Sequence, residues 1–307
     1  MLESWRMGKK ITAAVHTTDG AGVRLRRSIG APAEIEFLDP FILFHEFSSR
    51  NLGDYAPGFP FHPHAGVEAV TYMTDGVMNH QDGRGVSGTL GPGDLLWISA
   101  GRGMGHGEMP GNGTVHRPGA LMRGFQLWIN QPAAEKESDP QYRSFRAAEI
   151  PRLTAPGGAQ IRVLAGEAAG LQGPAPILKG RPFYLDIALP PRARWHPLIP
   201  PLHAAFVYTY EGAVYLNEQG PPVVAGQMAV LEFGLGLALC GGPAGARLLL
   251  AAAAPLGETI YRHIGFVMNS PQRLWAAVQA YRDAFPQLTG PERFPHPARS
   301  TNPIPPP

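Results

Sequence analysis

From Val23 onward, short apolar runs are cut at close intervals by Gly, Pro and Asp, a rhythm that predicts strands and turns rather than long helices. Such runs fall at 35–38, 41–44, 69–73 and 95–98. Over 124–129, Phe125, Leu127 and Ile129 alternate with Gln126 and Trp128, the period of a half-buried strand. Gly91-Pro92-Gly93-Asp94 has proline second and glycine third, which predicts a type II turn. Residues 155–180 are rich in Gly, Ala and Pro and read as a connector, with one strand expected at 160–164. A second β-rich half runs from 183 to about 255.

Residues 270–285 break the pattern. Ser270 can cap, Pro271 suits the first helical position, and Leu274, Val278, Tyr281 and Phe285 recur at helical spacing. One amphipathic helix packed on a sheet is predicted there. The division expected is linear: an irregular lead-in at 1–20, a first β-rich domain at 21–150, a connector at 151–180, a second β-rich domain with the helix at 181–290, and a proline-rich tail at 291–307.

Composition narrows the function classes. The 307 residues carry 38 Gly, 33 Pro and only 16% charged side chains, which favours turns and short strands. A net charge of +2 gives no support to nucleic acid or a membrane surface as partner, and Arg24, Arg26 and Arg27 read as a solvated strand face. Cys240 is the sole cysteine, so no intrachain disulfide forms. Residues 1–18 lack the apolar stretch of a signal peptide and no run reaches the ~18 apolar residues of a spanning helix, so a cytoplasmic protein is expected.

Candidate chemistry concentrates in one quarter of the chain, where six of the eleven histidines lie between positions 45 and 116. Two pairs stand out, His62-Pro63-His64 and His106-Gly107-Glu108. On an extended strand residues i and i+2 point to the same side, so two facing strands would gather three imidazoles and one carboxylate. That set suits a divalent transition metal such as Fe, Ni, Cu or Mn, with Co or Zn as further alternatives. His45, which follows a strand, is a candidate for supporting the site from behind. His80 and His116 have no such pairing and read as surface residues.

The segment from Gly58 to Gly76, with His-x-His and then Glu68, resembles the first motif of the cupin superfamily. A wider set of segments is similar to one cupin family, the pirins. It includes Arg26-Arg27-Ser28-Ile29-Gly30, Leu38-Asp39-Pro40-Phe41, His62-Pro63-His64-Ala65-Gly66, Ala100-Gly101-Arg102-Gly103, His106-Gly107-Glu108-Met109-Pro110 and Phe266-Val267-Met268-Asn269. The resemblance implies an all-β bicupin, two double-stranded β-helix (jelly-roll) barrels with a C-terminal helix. It implies one metal, usually Fe(2+), held in the first barrel by His62, His64, His106 and Glu108, with Glu68 not a ligand. It also implies flavonol (quercetin 2,3-dioxygenase) chemistry with dioxygen, with Glu108 as proton acceptor. The alternative is a metal- or redox-sensing regulator that binds a protein partner.

Val70, Tyr72, Leu96, Ile98, Phe125 and Leu127 are the expected walls of the substrate pocket. The chain departs from the family pattern at Phe61 and Ala65, where Asp and Arg are common, which alters the surroundings of the site. The two halves read as a repeat, with Thr71 to Gly76 similar to Val207 to Gly212. That offset places Leu198 and Pro200 at the positions of His62 and His64, and the offset of Gly93-Asp94 against Gly226-Gln227 places Leu239 and Gly241 at those of His106 and Glu108, so the second half is expected to hold no metal.

Overall fold

The computed structural model describes residues 5–115, 117, 119–175, 182–217 and 220–286. His116 and the proline-rich tail at 291–307 lie outside the described residues, as does the connector's end at 176–180. Two compact units are present, and their segments alternate along the chain where the sequence suggests a linear division. One comprises Met1–Val15, Ala31–Ile35 and Phe145–Pro255; the other comprises His16–Gly30, Glu36–Ser144 and Leu256–Pro307.

The unit that contains both histidine pairs is built from two sheets. The larger runs Gln141–Phe145, Leu95–Ser99, Val67–Asp75, Met122–Asn130, Phe41–Ser49, Val23–Ile29 and Val15–Asp19 in spatial order. The smaller runs Phe59–His64, Met104–Pro110, Met78–Asp82 and Ser87–Leu90. Val67–Asp75 and Met122–Asn130 are buried at nearly every position, so the centre of the larger sheet is covered on both faces. Leu43, Phe47, Ala69, Met73, Leu96, Ile98 and Trp128 form the core on one of them. The predicted turn is present: Gly93 takes a φ of 89°, and Asp94 accepts from the Gly91 amide at 2.9 Å.

The other unit is built, among the described residues, on a nine-stranded sheet with a small two-stranded sheet at Glu167–Ala168 and Leu171–Gln172, around an aliphatic core that includes Leu185, Ile187, Val207, Leu248 and Leu250. Residues 8–13, expected to be irregular, form the strand Gly8–Ala13, paired antiparallel with Gln227–Leu231. Its pattern is too polar to announce a strand; only Ile11 packs partly against the core, and backbone pairing holds the rest.

The helix forms at Pro271–Ala284, with the Ser270 hydroxyl accepting from the Arg273 amide at 3.2 Å. Leu274, Ala277, Val278 and Tyr281 are its buried face. They cluster with Ala65, Phe266 and Met268, so the helix belongs to the unit carrying the histidine pairs, not to the second β-rich half as the linear division has it. Helical spacing fixes which face is buried but not what buries it.

Candidate metal centre

Strands Phe59–His64 and Met104–Pro110 pair antiparallel, with His106 opposite His62 and Met104 opposite His64. That register brings three imidazoles together. The Nε2 atom of His64 lies 3.1 Å from that of His62 and 3.0 Å from that of His106. His64 and His106 are fully buried. His62 Nδ1 lies 2.8 Å from the Pro60 carbonyl oxygen, and donating there leaves its Nε2 lone pair facing the other two rings. Burial, the largest cause for each ring, holds all three below the ordinary histidine range. Neighbouring histidines lower His64 and His106 further, and Arg262 adds to the effect at His64.

Three neutral imidazoles aiming Nε2 at one point suit a cation there, since one proton can bridge only one of the close nitrogen pairs. The Nδ1 atoms of His64 and His106 have no hydrogen-bond partner among the described residues.

Glu108 lies outside the three-histidine group, whose nitrogens are all within 4.8 Å of one another. It sits two residues past His106, and the register against Phe59–His64 shifts between them. Its carboxylate is buried. Oε2 accepts from Gln126 Nε2 at 3.2 Å, whereas Oε1 has no hydrogen-bond partner among the described residues. Burial pushes the carboxyl up to about 7, against a smaller lowering from a hydrogen bond with Thr71.

Gln126, Trp128 and Thr71 are not among the site residues expected from the sequence, and all three bear on this site. Trp128 Nε1 donates to Gln126 Oε1 at 3.2 Å, which orients the amide so that its nitrogen faces Glu108. Trp128 also stands edge-on to His64, with ring centroids 4.8 Å apart. The signal was present in the alternation at 124–129, where Gln126 and Trp128 occupy one parity.

That parity corrects the expected pocket. Cross-strand pairs place Thr71, Leu96 and His45 beside Gln126, and Ala69, Ile98 and Leu43 beside Trp128, all on one face. Val70, Tyr72, Phe125 and Leu127 fall on the opposite face, where Phe44 and Phe125 stack. Leu96 and Ile98 share the face of Trp128 but lie in its core. None of the six lines the cavity beside the histidines, a space of about 670 Å³ walled by residues that include Leu43, Phe59, Phe61, Gln126 and Trp128. Both faces of this sheet are apolar, so hydrophobicity could not tell them apart.

Glu68 has the parity of Val70 and so projects from the face opposite Gln126. Its carboxylate accepts from Trp97 Nε1 at 2.6 Å, Ser99 Oγ at 2.8 Å and Gln131 Nε2 at 2.5 Å.

His45 is fully buried, stacked on Phe59 with centroids 6.2 Å apart, and neither ring nitrogen has a hydrogen-bond partner among the described residues. Burial, aided by the charge of Arg27 and opposed by Asp19, lowers it to about 3. Phe61 lines the cavity and meets Phe285 at 5.3 Å. Ala65 is buried against the C-terminal strand; its amide donates to Gly265 O at 3.1 Å, and its carbonyl accepts from the Val267 amide at 2.9 Å.

His80, read as a surface residue, is 4% exposed, and its Nδ1 lies 2.8 Å from the Tyr142 hydroxyl. Isolation in sequence hid its place opposite Glu108 on a neighbouring strand. Arg27 is not a solvated residue either. It pairs with Asp19 and lines the cavity, because its neighbours across the sheet are His45 and the Val15–Asp19 strand. In the second β-rich unit, Leu198 and Pro200 are exposed while Leu239 and Gly241 are buried. Among the described residues, the one group of three or more metal-ligating side chains is His62, His64 and His106.

Comparisons with known proteins agree with this architecture. The pirin family model matches residues 22–129, and the pirin C-terminal cupin domain model matches 184–285. A Pseudomonas aeruginosa protein provisionally named a quercetin 2,3-dioxygenase is 39% identical over 87% of this chain and 93% of its own length. Human pirin is 37% identical over 90% of this chain and 93% of its own. A crystal structure of a quercetin 2,3-dioxygenase from Acinetobacter baumannii aligns with a TM-score of 0.81 at 26% identity, covering 91% of this chain and 98% of that one.

Proposed function

The chain belongs to the pirin family, with two cupin domains, and on that premise we propose that it is a metal-dependent dioxygenase that cleaves flavonols such as quercetin. The observation that carries this reading is the meeting of three neutral imidazole Nε2 atoms, His64 lying 3.0 and 3.1 Å from its two partners, at the edge of an aromatic-walled cavity. His62, His64, His106 and Glu108 would hold one divalent transition metal, iron first, with nickel, copper, manganese, cobalt and zinc as alternatives. Such a metal supplies a Lewis acid that acidifies a bound hydroxyl and a centre at which dioxygen can react.

The chain's own residues do the rest. His62 keeps its Nε2 free by donating Nδ1–H to Pro60. Gln126 holds Glu108 by Oε2 and leaves Oε1 available to accept the proton of a substrate hydroxyl. Phe59, Phe61, Leu43 and Trp128 give the cavity flat apolar walls that suit a fused aromatic ring and exclude water. Net reaction would insert both atoms of dioxygen into the flavonol, open its central ring and release carbon monoxide.

The test is to purify the protein, quantify bound metal, and follow quercetin-dependent oxygen uptake together with carbon monoxide release. One metal per chain with stoichiometric uptake and release is expected. Full metal occupancy without turnover on several flavonols would overturn the enzymatic reading in favour of a regulatory protein.

A further inference from the structure

We propose that Arg262 selects for substrates bearing an anionic oxygen, so that this pocket takes a planar aromatic carboxylate in preference to its neutral counterpart. The proposal rests on the reading of the cavity as a substrate pocket and adds its charge preference. Arg262 lies on the short strand Tyr261–His263, in the same compact unit as the histidines, and lines the cavity with His62 and Trp128. Its guanidinium is 5.2 Å from the centre of the Trp128 ring, and Trp128 is edge-on to His64. One aromatic ring therefore separates a fixed cation from the imidazole cluster.

That cation is unspent. Among the described residues, the Arg262 guanidinium makes neither a hydrogen bond nor an ion pair beside its contact with Trp128, although it carries five donors. Burial is the main cause that lowers it to about 10, so it stays charged at neutral pH. The charges that face it are accounted for. Asp19 is already held by Arg27, Glu36 is exposed, and both act on Arg262 only through space. The cavity lining thus sets two cations, Arg27 and Arg262, against one carboxylate, Asp19. Elsewhere the apolar walls include Leu43, Phe59, Phe61, Trp128 and Ile264, with His62 and Gln126 as the other polar side chains. A flat apolar slot with one unmatched, partly desolvated guanidinium favours an aromatic anion, since a carboxylate can take two parallel N–H donors from one Arg. A neutral ring of equal shape would leave those donors buried without acceptors.

The probes are 1-hydroxy-2-naphthoate and its carboxamide, titrated calorimetrically against the metal-loaded and metal-stripped full chain, with metal content and quercetin turnover measured on the same samples. The carboxylate is expected to bind about tenfold more tightly than the carboxamide, with or without metal, and the difference to shrink as salt rises. Arg262→Gln should erase the preference, and Arg262→Lys should keep part of it. Equal binding of both probes by the wild type overturns the proposal, and so does a preference that survives in folded Arg262→Gln. A preference that vanishes on metal stripping assigns the carboxylate to the metal and also overturns it. If Arg262→Gln does not fold, the salt dependence of wild type and Arg262→Lys decides: a salt-independent preference counts against Arg262. Loss of flavonol turnover with the carboxylate preference intact would sink the dioxygenase reading alone.

Discussion

Gln126 donates from Nε2 to Glu108 Oε2 at 3.2 Å, and its own carbonyl is fixed by Trp128 Nε1 at the same distance. A buried carboxylate two residues along the strand from His106 is thereby held at Oε2, while its Oε1 has no hydrogen-bond partner among the described residues. Removing the amide should let Glu108 rotate. Gln126→Leu is expected to lower flavonol turnover by about 10- to 100-fold while most of the metal stays bound. Metal analysis and oxygen-uptake kinetics on the same preparation check this, and unchanged turnover would remove Gln126 from the argument.

His64 is the hub of the three rings, 3.0 Å from one and 3.1 Å from the other. His64→Ala should abolish stoichiometric metal binding, read by elemental analysis after dialysis against a weak chelator. Burial keeps these imidazoles neutral below the usual histidine pKa of about 6.5. Bound metal should therefore persist as pH falls past that value, where solvent-exposed histidines would already be taking up protons.

His45 gives an acid-stability prediction. Its folded pKa of about 3 lies below the unfolded value of about 6.5, so between them the unfolded chain binds the extra proton. Its contribution is complete above about pH 6.5 and is lost as pH falls towards 3, by at most about 1.4 kcal/mol per pH unit. His45→Phe keeps the stack on Phe59 and buries no unpaired nitrogen. Urea midpoints of this variant should fall less than those of wild type between pH 7 and pH 5, and an equal fall would refute the assignment.

Lys136 is fully buried, and its Nζ donates to Gly66 O at 2.9 Å, Asn130 Oδ1 at 2.6 Å and Val267 O at 2.9 Å. It ties the turn after His64 to the C-terminal strand. Lys136→Met fills similar volume but strands three acceptors, at a cost of roughly 3 kcal/mol. Equilibrium denaturation measures that loss, and metal retention should weaken with it.

Phe61 owes its place to Gly105. A Cβ at residue 105 would come within 2.3 Å of the Phe61 ring. Gly105→Ala should cost about 1–3 kcal/mol in wild type. Much less should be lost in a Phe61→Ala background, and a double-mutant cycle by thermal denaturation reads the coupling.

The sequence by itself determined the parts whose signal is local. His-x-His and His-x-Glu declare their side chains to be on one side of a strand, because the period of two is a property of the backbone. The Ser270 cap and the spacing of Leu274, Val278 and Tyr281 declare a helix in the same way. Only the tertiary structure decided which elements meet. Val70 and Trp128 are equally apolar in sequence, yet they project from opposite faces of one sheet, and a sheet covered on both sides offers no polarity contrast to separate them.

The register shift between His106 and Glu108 depends on the partner strand, so spacing alone could not place the carboxylate relative to the imidazoles. Arg262 reaches the cavity because the chain after Leu256 returns to the unit that holds the histidines, a long-range choice with no local trace. The two histidine pairs were legible from the first; the face they share, the amide behind Glu108 and the cation beside Trp128 emerge only when distant strands pair.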